Sequence, residues 1–353
     1  MKIIHCADFH LDSKMEGLPA EKAKIRREEL FLNFERVVEY AKENSVTAVI
    51  IVGDLFDGQK ILLKSQKRIM HVVAKCPSVD FLYLSGNHEK DGFLDWQADF
   101  PKNLKVFGNW GAFEYGKIKI YGKNGGADLS VYQKNFNGED VNILAMHGQV
   151  VTHAGVIKED EISLPLLRNK GIDYLALGHV HKAVEGRLDG RGVYAYSGCP
   201  EGRGFDETGD KGFIELTVNG KNVSYKFIPF AKRKIYEIEV PCDSFENWFE
   251  CRDFAINKVQ NDVEISGLVK LVFVGKRNGF EIDKIGVEKL LQDACFYTKI
   301  VDKTDACING ADFVSDFSPI GVFVKSVLES DIENLTKNRV IMCGIKALKG
   351  EEI

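Results

Sequence analysis

Short apolar runs and longer amphipathic segments alternate through the first half of the chain. The apolar runs each end in glycine or a polar residue: "KIIHCAD", "TAVIIVGD", "DFLYLSGN", "NILAMHG" and "YLALGH". Short apolar runs bounded in this way are typical of buried β-strands. Between the first two runs, apolar residues recur at helical spacing, at Leu30, Phe34, Val37, Val38 and Ala41. The pattern predicts a layered α/β fold that begins with a strand, a crossover helix and a second strand.

From Phe113 onward, turn signals lie between stretches of alternating apolar and polar residues. "RLDGRGVYAY" and "ELTVNGKNVSYKF" each carry an Asp-Gly or Asn-Gly pair between two such stretches. These pairs favour the tight turns of β-hairpins. We therefore expect a second, antiparallel set of strands in this part of the chain.

The segment from residue 235 to 305 changes to a strand, helix, strand, helix, strand pattern. Its parts are "IYEIEV", "SFENWFECRDFAINKVQ", "LVKLVFVG", "DKIGVEKLLQDA" and "FYTKIVD". A βαβαβ unit of this kind can fold as its own domain. Further on, Ser318 and Pro319 form a helix start, and the apolar residues after them predict two amphipathic helices.

Composition narrows the class of protein. A chain of 353 residues that is 44% hydrophobic and 28% charged can bury a substantial core, which excludes a disordered chain. A net charge of −5 lacks the basic excess of many nucleic-acid-binding domains, so any such role must depend on a local site. The eight cysteines include no CxxC pair, which indicates core thiols rather than a disulfide framework or a zinc finger. With no signal peptide or membrane span in the pattern, we expect a cytoplasmic protein and no membrane partner.

Polar side chains with metal-binding or acid–base chemistry follow five of the apolar runs. They are Asp8, His10, Asp54, Asn87, His88, His147, His179 and His181. Ligand sites of layered α/β proteins gather beyond the carboxyl ends of parallel strands. One such residue would be explained by capping or by a satisfied core histidine, but recurrence after five strands indicates a shared site.

The spacing and the donor types suggest metals. Residues two apart in an extended segment point to the same side, so "DFH" and "HVH" can each present two ligands to one cavity. Mixed oxygen and imidazole donors suit manganese, iron or zinc better than calcium. The donors exceed the needs of one tetrahedral zinc ion, whereas two metals that share a carboxylate would use them all.

The motifs D-x-H, G-D-x-x-D, G-N-H-E, H-G and G-H-x-H, in this order, resemble those of the calcineurin-like metallophosphoesterase superfamily. Within it, "HCADFHLDS", "GDLFD", "GHVH" and "YSGCPEGRGFDETGDKGF" resemble the SbcD-type DNA repair exonucleases, particularly their YhaO-like branch. The resemblance implies a two-sheet α/β sandwich over residues 1–234, a small βαβαβ capping domain over 235–310 and a C-terminal helical tail over 311–353.

The resemblance also implies a division of ligands between two divalent metal ions, for which Mn²⁺ is expected. One ion would be held by Asp8, His10, Asp54 and His181, and the other by Asp54, Asn87, His147 and His179, with Asp54 bridging. His88 would stand over the site as the catalytic residue and either donate to a phosphate oxygen or protonate the departing oxygen. Glu89 replaces the aspartate more usual in repair nucleases, which leaves the orientation of His88 open.

The function expected from the resemblance is a metal-dependent DNA nuclease, an exonuclease with endonuclease activity also open, in DNA end processing and double-strand-break repair. The alternative enzyme is a phosphoesterase for a small phosphorylated molecule or a cyclic nucleotide, because the same centre serves these reactions. A third reading is a scaffold that retains a relic metal site. The implied partners are DNA and an SbcC-like or YhaN-like coiled-coil ATPase, which the tail helices would contact unless they pack on the cap. A homodimer is also expected of such proteins.

Several other residues have two interpretations from the sequence alone. Asp57 either orders the metal-site loop or closes a turn, and Arg203 either holds a DNA phosphate or is a solvated loop arginine. A basic run after the second motif either follows a DNA backbone or is a solvated helix face: Lys60, Lys64, Lys67 and Arg68. His153 either borders the site or lies on the surface. We expect His5 and His71 to be structural.

Overall fold

The computed structural model describes residues 1–89, 92–108, 110–123, 129–277, 280–306, 313 and 315–350. The chain divides into two compact units, Met1–Lys234 and Ile235–Ile353. The helices of the first unit are α1 (Ala20–Glu43), α2 (Leu63–Ala74) and α3 (Leu164–Leu167), with 3₁₀ turns at Leu94–Asp99 and Leu129–Gln133. Its strands are β1 (Lys2–Cys6), β2 (Ala48–Val52), β3 (Asp80–Leu84), β4 (Leu104–Val106), β5 (Gly111–Tyr115), β6 (Ile118–Gly122), β7 (Val141–His147), β8 (Gln149–Val151), β9 (Glu161–Ser163), β10 (Tyr174–Gly178), β11 (Val184–Arg187), β12 (Val193–Tyr196), β13 (Gly212–Asn219) and β14 (Asn222–Pro229).

Two six-stranded sheets form the body of the first unit. Their orders are β14-β13-β1-β2-β3-β4 and β11-β12-β10-β7-β6-β5, and β8 pairs with β9 in a separate ribbon. Strands β1 to β4 are mutually parallel, and so are β6, β7, β10 and β12. A continuous apolar core includes residues of both sheets, among them Ile50, Leu82, Ile143 and Ala176. The first unit is therefore the α/β fold with two layered sheets that the sequence predicts.

The prediction of a second, antiparallel set of strands is wrong about which strands these hairpins join. The hairpin β13–β14 pairs with β1 and so extends the first sheet. The second sheet is parallel at its centre and antiparallel only where β5 meets β6 and β11 meets β12. The hairpin turns themselves are present, but local turn chemistry does not specify which distant strand a hairpin will pair with.

Helices α1 and α2 cover the outer face of the first sheet. Leu30 and Phe34 of α1 and Ile69 of α2 are buried in the apolar cluster on that face. Helix α1 also makes a buried polar contact: Arg26 is wholly buried and pairs with Glu29 of the same helix and with Glu201. A buried cation of this kind requires paired carboxylates.

His5 joins the two sheets. It lies on β1, is wholly buried, and its Nδ1 is 2.9 Å from the hydroxyl of Tyr174 on β10. Its Nε2 is 3.1 Å from the carbonyl oxygen of Leu177, also on β10. The strand that ends before Asp8 is therefore fixed to the strand that ends before His179.

The second unit contains β15 (Ile235–Pro241), α4 (Trp248–Asp262), β16 (Leu268–Val274), β17 (Lys276–Arg277), α5 (Lys284–Leu291), β18 (Tyr297–Asp302), β19 (Asp305–Ala306), α6 (Pro319–Glu329) and α7 (Asn334–Lys349), with a 3₁₀ turn at Cys242–Ser244. Strands β15, β16 and β18 form a parallel sheet, and β17 pairs with β19. Asn247 caps α4 and Ser318 caps α6 through side-chain oxygens. Helices α6 and α7 share a small core with Val324 and Ile341.

Two further expectations from the sequence concern the burial of the cysteine thiols and the presence of membrane-spanning helices. Among the described residues, six cysteines are buried, whereas Cys343 is exposed and departs from the expectation of core thiols; Cys307 lies outside the described residues. None of the helices described here combines the length and the apolar character needed to cross a membrane.

Candidate metal centre

Parallel strands of both sheets end at one edge of the first unit, and the predicted ligands converge there. Their donor atoms form two groups within 4.8 Å, one of Asp8, His10 and His181 and the other of Asp8, Asp54 and His147. The amide oxygen of Asn87 lies 2.9 Å from His147 Nε2 and 3.2 Å from His179 Nδ1. The structure therefore brings all seven predicted ligands together. We call Asp8, His10 and His181 the first half-site, and Asn87, His147 and His179 the second half-site.

Four of these seven residues have backbone conformations that non-glycine residues rarely adopt. The φ angles are 56° at Asp8, 46° at His10, 50° at Asp54 and 101° at His179. A positive φ costs a residue with a Cβ on the order of 1–3 kcal/mol, so it persists only where surrounding contacts enforce it. Such residues concentrate at functional sites, which is the pattern seen at this edge.

Two glycines permit the close approach of the loops that carry the ligands. A Cβ on Gly53, whose φ is +80°, would overlap the ring of His147. A Cβ on Gly86 would overlap the carboxylate and the main-chain nitrogen of Asp54. The glycines of the G-D and G-N-H motifs are thus required by the packing of the ligands against them.

In the first half-site, two imidazole rings face each other, each with its Nε2 atom. The Nε2 atoms of His10 and His181 are 3.1 Å apart. His10 Nδ1 is 3.1 Å from Asp57 Oδ1, and His181 Nδ1 is 2.6 Å from Glu207 Oε1. Because these carboxylates accept the Nδ1 protons, both Nε2 atoms present lone pairs to the same space. A cation between them removes the repulsion, so the residues fit a metal ion.

The second half-site shows the same arrangement through different partners. His147 Nδ1 donates to the carbonyl oxygen of Val52 at 2.9 Å, and its Nε2 faces Asn87 and, at 3.3 Å, Asp54 Oδ2. The same Asp54 oxygen is 3.7 Å from His10 Nε2 in the first half-site. One carboxylate oxygen therefore faces an imidazole of each half-site, as a bridging ligand would.

The pKa values of the residues at this centre are shifted by burial and by their charged neighbours. Burial raises the pKa of Asp8 to about 6 and lowers the pKa of His10 to about 4. Burial opposes charge on His147, but the hydrogen bond to Asp54 and the charge of Asp8 raise its pKa to about 9. Burial likewise opposes charge on Asp54, whose pKa is nevertheless held at about 2, first by His147. Carboxylates and imidazoles compete for protons here, and a divalent cation can take the place of those protons.

His88 stands beside the ligands and reaches solvent. Its side chain is 46% exposed, and its Nδ1 is 3.3 Å from Asp57 Oδ1. The hydrogen bond to Asp57 raises the pKa of His88. Its main-chain N–H donates to Asp54 Oδ1 at 3.0 Å, which fixes the residue next to the centre. An imidazole in this position can meet a substrate without being enclosed by the ligands.

Glu89 joins the two loops that carry Asp54 and His88. It is wholly buried, and its oxygens accept the main-chain N–H groups of Leu55 at 3.1 Å, Phe56 at 2.8 Å and Gly86 at 3.3 Å. Burial raises the pKa of Glu89 to about 7. The longer glutamate side chain thus satisfies backbone groups of both loops, so the residue contributes to the placement of His88.

The ambiguous residues separate into those near the site and those away from it. Asp57 contacts His10, His88 and, at 3.4 Å, Arg203 Nη1, so it orders the site. A cleft of about 480 Å³ lies beside them, between residues 13–16 and residues 203–207.

The remaining ambiguous residues lie on the surface. Arg68 pairs with two glutamates of α1, Glu28 and Glu35, and so is not a free cation. His153 is exposed and lies 4.0 Å from Glu161.

Glu207 is a site residue that the sequence analysis missed. Its only signal is an acidic residue in the glycine-rich loop that follows the G-H-x-H motif.

Comparison with known proteins agrees with this geometry. Residues 1–183 match the family model of the calcineurin-like phosphoesterases, so the chain belongs to that family. It thus carries a domain of the class of metal-dependent hydrolases, which use divalent metal ions.

Several curated proteins are similar to the chain. The uncharacterized metallophosphoesterase YhaO of Bacillus subtilis is 26% identical over 64% of this chain and 60% of its own length. The DNA double-strand break repair protein Mre11 of Methanosarcina acetivorans is 25% identical over 73% of this chain and 43% of its own. The Mre11 protein of Aeropyrum pernix is 27% identical over 68% of this chain and 63% of its own. The chain therefore spans less than two thirds of each of these relatives.

Proposed function

We propose that the protein is a metal-dependent DNA nuclease that hydrolyses phosphodiester bonds at a two-cation centre. The observation that carries this proposal is the position of Asp54, whose Oδ2 atom faces an imidazole of each half-site. A shared carboxylate between two sets of imidazole and oxygen donors suits a pair of divalent cations. The mixed oxygen and nitrogen donors, with no thiolate, suit manganese, iron or zinc, and the resemblance to repair nucleases makes manganese the expected ion.

The proposed ligand sets follow the half-sites. Asp54 together with the first half-site would hold one ion, and Asp54 together with the second half-site would hold the other. When bound, the two cations supply an activated water molecule and neutralise charge on the phosphate oxygens. The chain itself orients the imidazoles through Asp57, Glu207 and the carbonyl of Val52.

His88 is the proposed catalytic residue. It is half-exposed beside the centre, and Asp57 favours its protonated form. A protonated imidazole in this place can donate to a phosphate oxygen or give its proton to the departing oxygen. Because His88 is outside both ligand sets, its removal separates binding of the cations from turnover.

DNA is the proposed substrate because relatives similar over most of this chain are named as DNA double-strand break repair proteins. The open cleft beside Asp57 and Arg203 leaves room for a substrate that extends past the bond to be cut. A role in DNA end processing and a cytoplasmic location belong to the same proposal. So does an SbcC-like or YhaN-like coiled-coil ATPase partner, which would contact the exposed Val322 of α6 and the exposed Phe317 just before that helix. A homodimer also belongs to the proposal.

The first test is hydrolysis of an end-labelled linear DNA duplex with Mn²⁺, run for the wild-type protein, His88→Leu and Asp54→Ala. We expect His88→Leu to bind two ions by calorimetry and to lose most turnover. Asp54→Ala should lose both ions and all activity. Full activity in either variant would contradict the assignment of these residues.

A second test separates the nuclease from a phosphoesterase for small molecules. The wild-type protein would be compared on a bis-aryl phosphate and a mono-aryl phosphate under the same conditions. The nuclease requires preference for the diester, and preference for the monoester would favour the small-molecule enzyme. For the partner, Val322→Asp in the full chain should reduce co-purification with the ATPase while leaving diester hydrolysis unchanged.

A further inference from the structure

A carboxylate lies behind each imidazole of the first half-site. Asp57 accepts from His10 and Glu207 accepts from His181, each at Nδ1. The glutamate contact is the shorter, at 2.6 Å, and the glutamate is 7% exposed. A buried carboxylate at this distance fixes both the tautomer and the rotation of the ring. The lone pair of His181 Nε2 is thereby directed toward the first half-site.

Arg203 connects these two carboxylates. Its guanidinium is 3.4 Å from Asp57 Oδ1 and 3.2 Å from Glu207 Oε1. Its main-chain N–H donates to the other oxygen of Glu207, at 2.6 Å. Arg203 Nη2 is also 3.3 Å from His181 Nδ1, but that nitrogen already donates its proton to the closer carboxylate. The guanidinium and the loop backbone together hold Glu207 in one orientation.

The loop that carries Arg203 is anchored to α1 by buried charge. Arg26 donates to the carbonyl oxygen of Gly202 at 2.5 Å and pairs with Glu201 at 2.9 Å. Arg26 is wholly buried and Glu201 nearly so. The residue before Arg203 is therefore fixed to the scaffold, which makes the support behind His181 rigid rather than adaptable.

We propose that Glu207, held by Arg203, is a positioning residue that orients His181 and sets the affinity of the first half-site for its cation. This inference rests on the proposed metal centre. It assigns to the glycine-rich loop after the G-H-x-H motif a role in loading one of the two ions. Neither residue would contact the cation.

The test is calorimetric titration of Mn²⁺ into the metal-free full chain, with Glu207→Ala, Glu207→Gln, Arg203→Met and His181→Ala. Loss of such a supporting partner typically weakens metal binding by roughly 10–100-fold. We expect this loss in one of the two binding events for Glu207→Ala and Arg203→Met, with the other event unchanged. Glu207→Gln keeps an acceptor oxygen and should lose less. Glu139→Gln, an exposed glutamate of the same unit paired with Lys221, is the matched control and should bind as the wild type does.

A double-mutant cycle identifies the route through which Glu207 acts. If Glu207 acts through His181, then Glu207→Ala should change nothing further in a His181→Ala background. Two unchanged binding events in both Glu207 variants, with native circular dichroism, would overturn the inference. So would additive losses in the cycle. Failure of the proposed function has a different result, in which the wild-type protein binds two ions but hydrolyses neither DNA nor the bis-aryl phosphate.

Discussion

Protonation of His5 should weaken the joint between the two sheets of the first unit. The side chain is wholly buried between β1 and β10, and burial lowers its pKa from 6.5 to about 3, against a smaller opposing effect of its hydrogen bond to Leu177. The neutral ring is the form that the fold holds. An unfolded chain binds the proton near pH 6.5, whereas the native chain does so only near pH 3.

The sign and size of the effect follow from this difference. Because the pKa of the native state lies below that of the unfolded state, the contribution of His5 is fully present above pH 6.5. It is lost as the pH falls toward 3. Over the whole interval the loss is on the order of 5 kcal/mol, and between pH 7.5 and pH 5 it is about 2 kcal/mol.

The assay is urea unfolding of the full chain with a chelator present, at pH 7.5 and at pH 5, for the wild type and His5→Asn. The variant should be less stable at pH 7.5, because it loses ring packing and a hydrogen bond. Since asparagine does not titrate, this deficit should shrink by about 2 kcal/mol at pH 5. His71→Asn, on the exposed face of α2, is the control and should show no such change. A deficit for His5→Asn that is equal at the two pH values would refute the reasoning.

Three other substitutions test separate features. Gly86→Ala places a methyl group against the Asp54 carboxylate, so Mn²⁺ affinity should fall at least tenfold by calorimetry; wild-type affinity would contradict the packing argument. Arg26→Met removes the cation that pairs with the buried Glu201, while Glu29 keeps Lys232 and Arg233; it should cost about 3–5 kcal/mol in urea unfolding, whereas a loss below about 1 kcal/mol would contradict it. Asn247→Ala removes the cap of α4 and should destabilise the second unit by about 1 kcal/mol; equal unfolding midpoints would contradict a capping role.

The strand ends could be predicted from sequence, whereas strand partners could not. The short apolar runs specify buried strands, and the polar residues after them must lie where those strands end. Which sheet each strand joins is decided by contacts far apart in the chain. The hairpin β13–β14 shows this, since it pairs with β1, more than 200 residues earlier in the sequence.

The candidate ligands of the centre could be predicted from motifs, but their supports could not. Asp8, His10 and His181 stand out by their places after apolar runs and by their spacing, and the family resemblance implies their roles as ligands. Glu207 lies 26 residues beyond His181, in a loop whose path back to the centre depends on the buried Arg26. No local sequence pattern indicates that this loop brings Glu207 next to His181. Charge on the surface was equally ambiguous, because Arg68 is neutralised by glutamates of a different helix.

The position of the centre across two sheets couples cation concentration to the integrity of the sandwich. Asp8 and Asp54 follow strands of one sheet, whereas His147 is the last residue of a strand of the other sheet and His179 follows another of its strands. Separation of the sheets would destroy both half-sites, so any ion that binds there stabilises the assembled sandwich. At an ion concentration 100 times the dissociation constant, this linkage adds about 2.7 kcal/mol per site. The midpoint temperature of thermal unfolding should therefore rise with the concentration of the divalent ion. The first unit should also resist proteolysis better when this concentration is high.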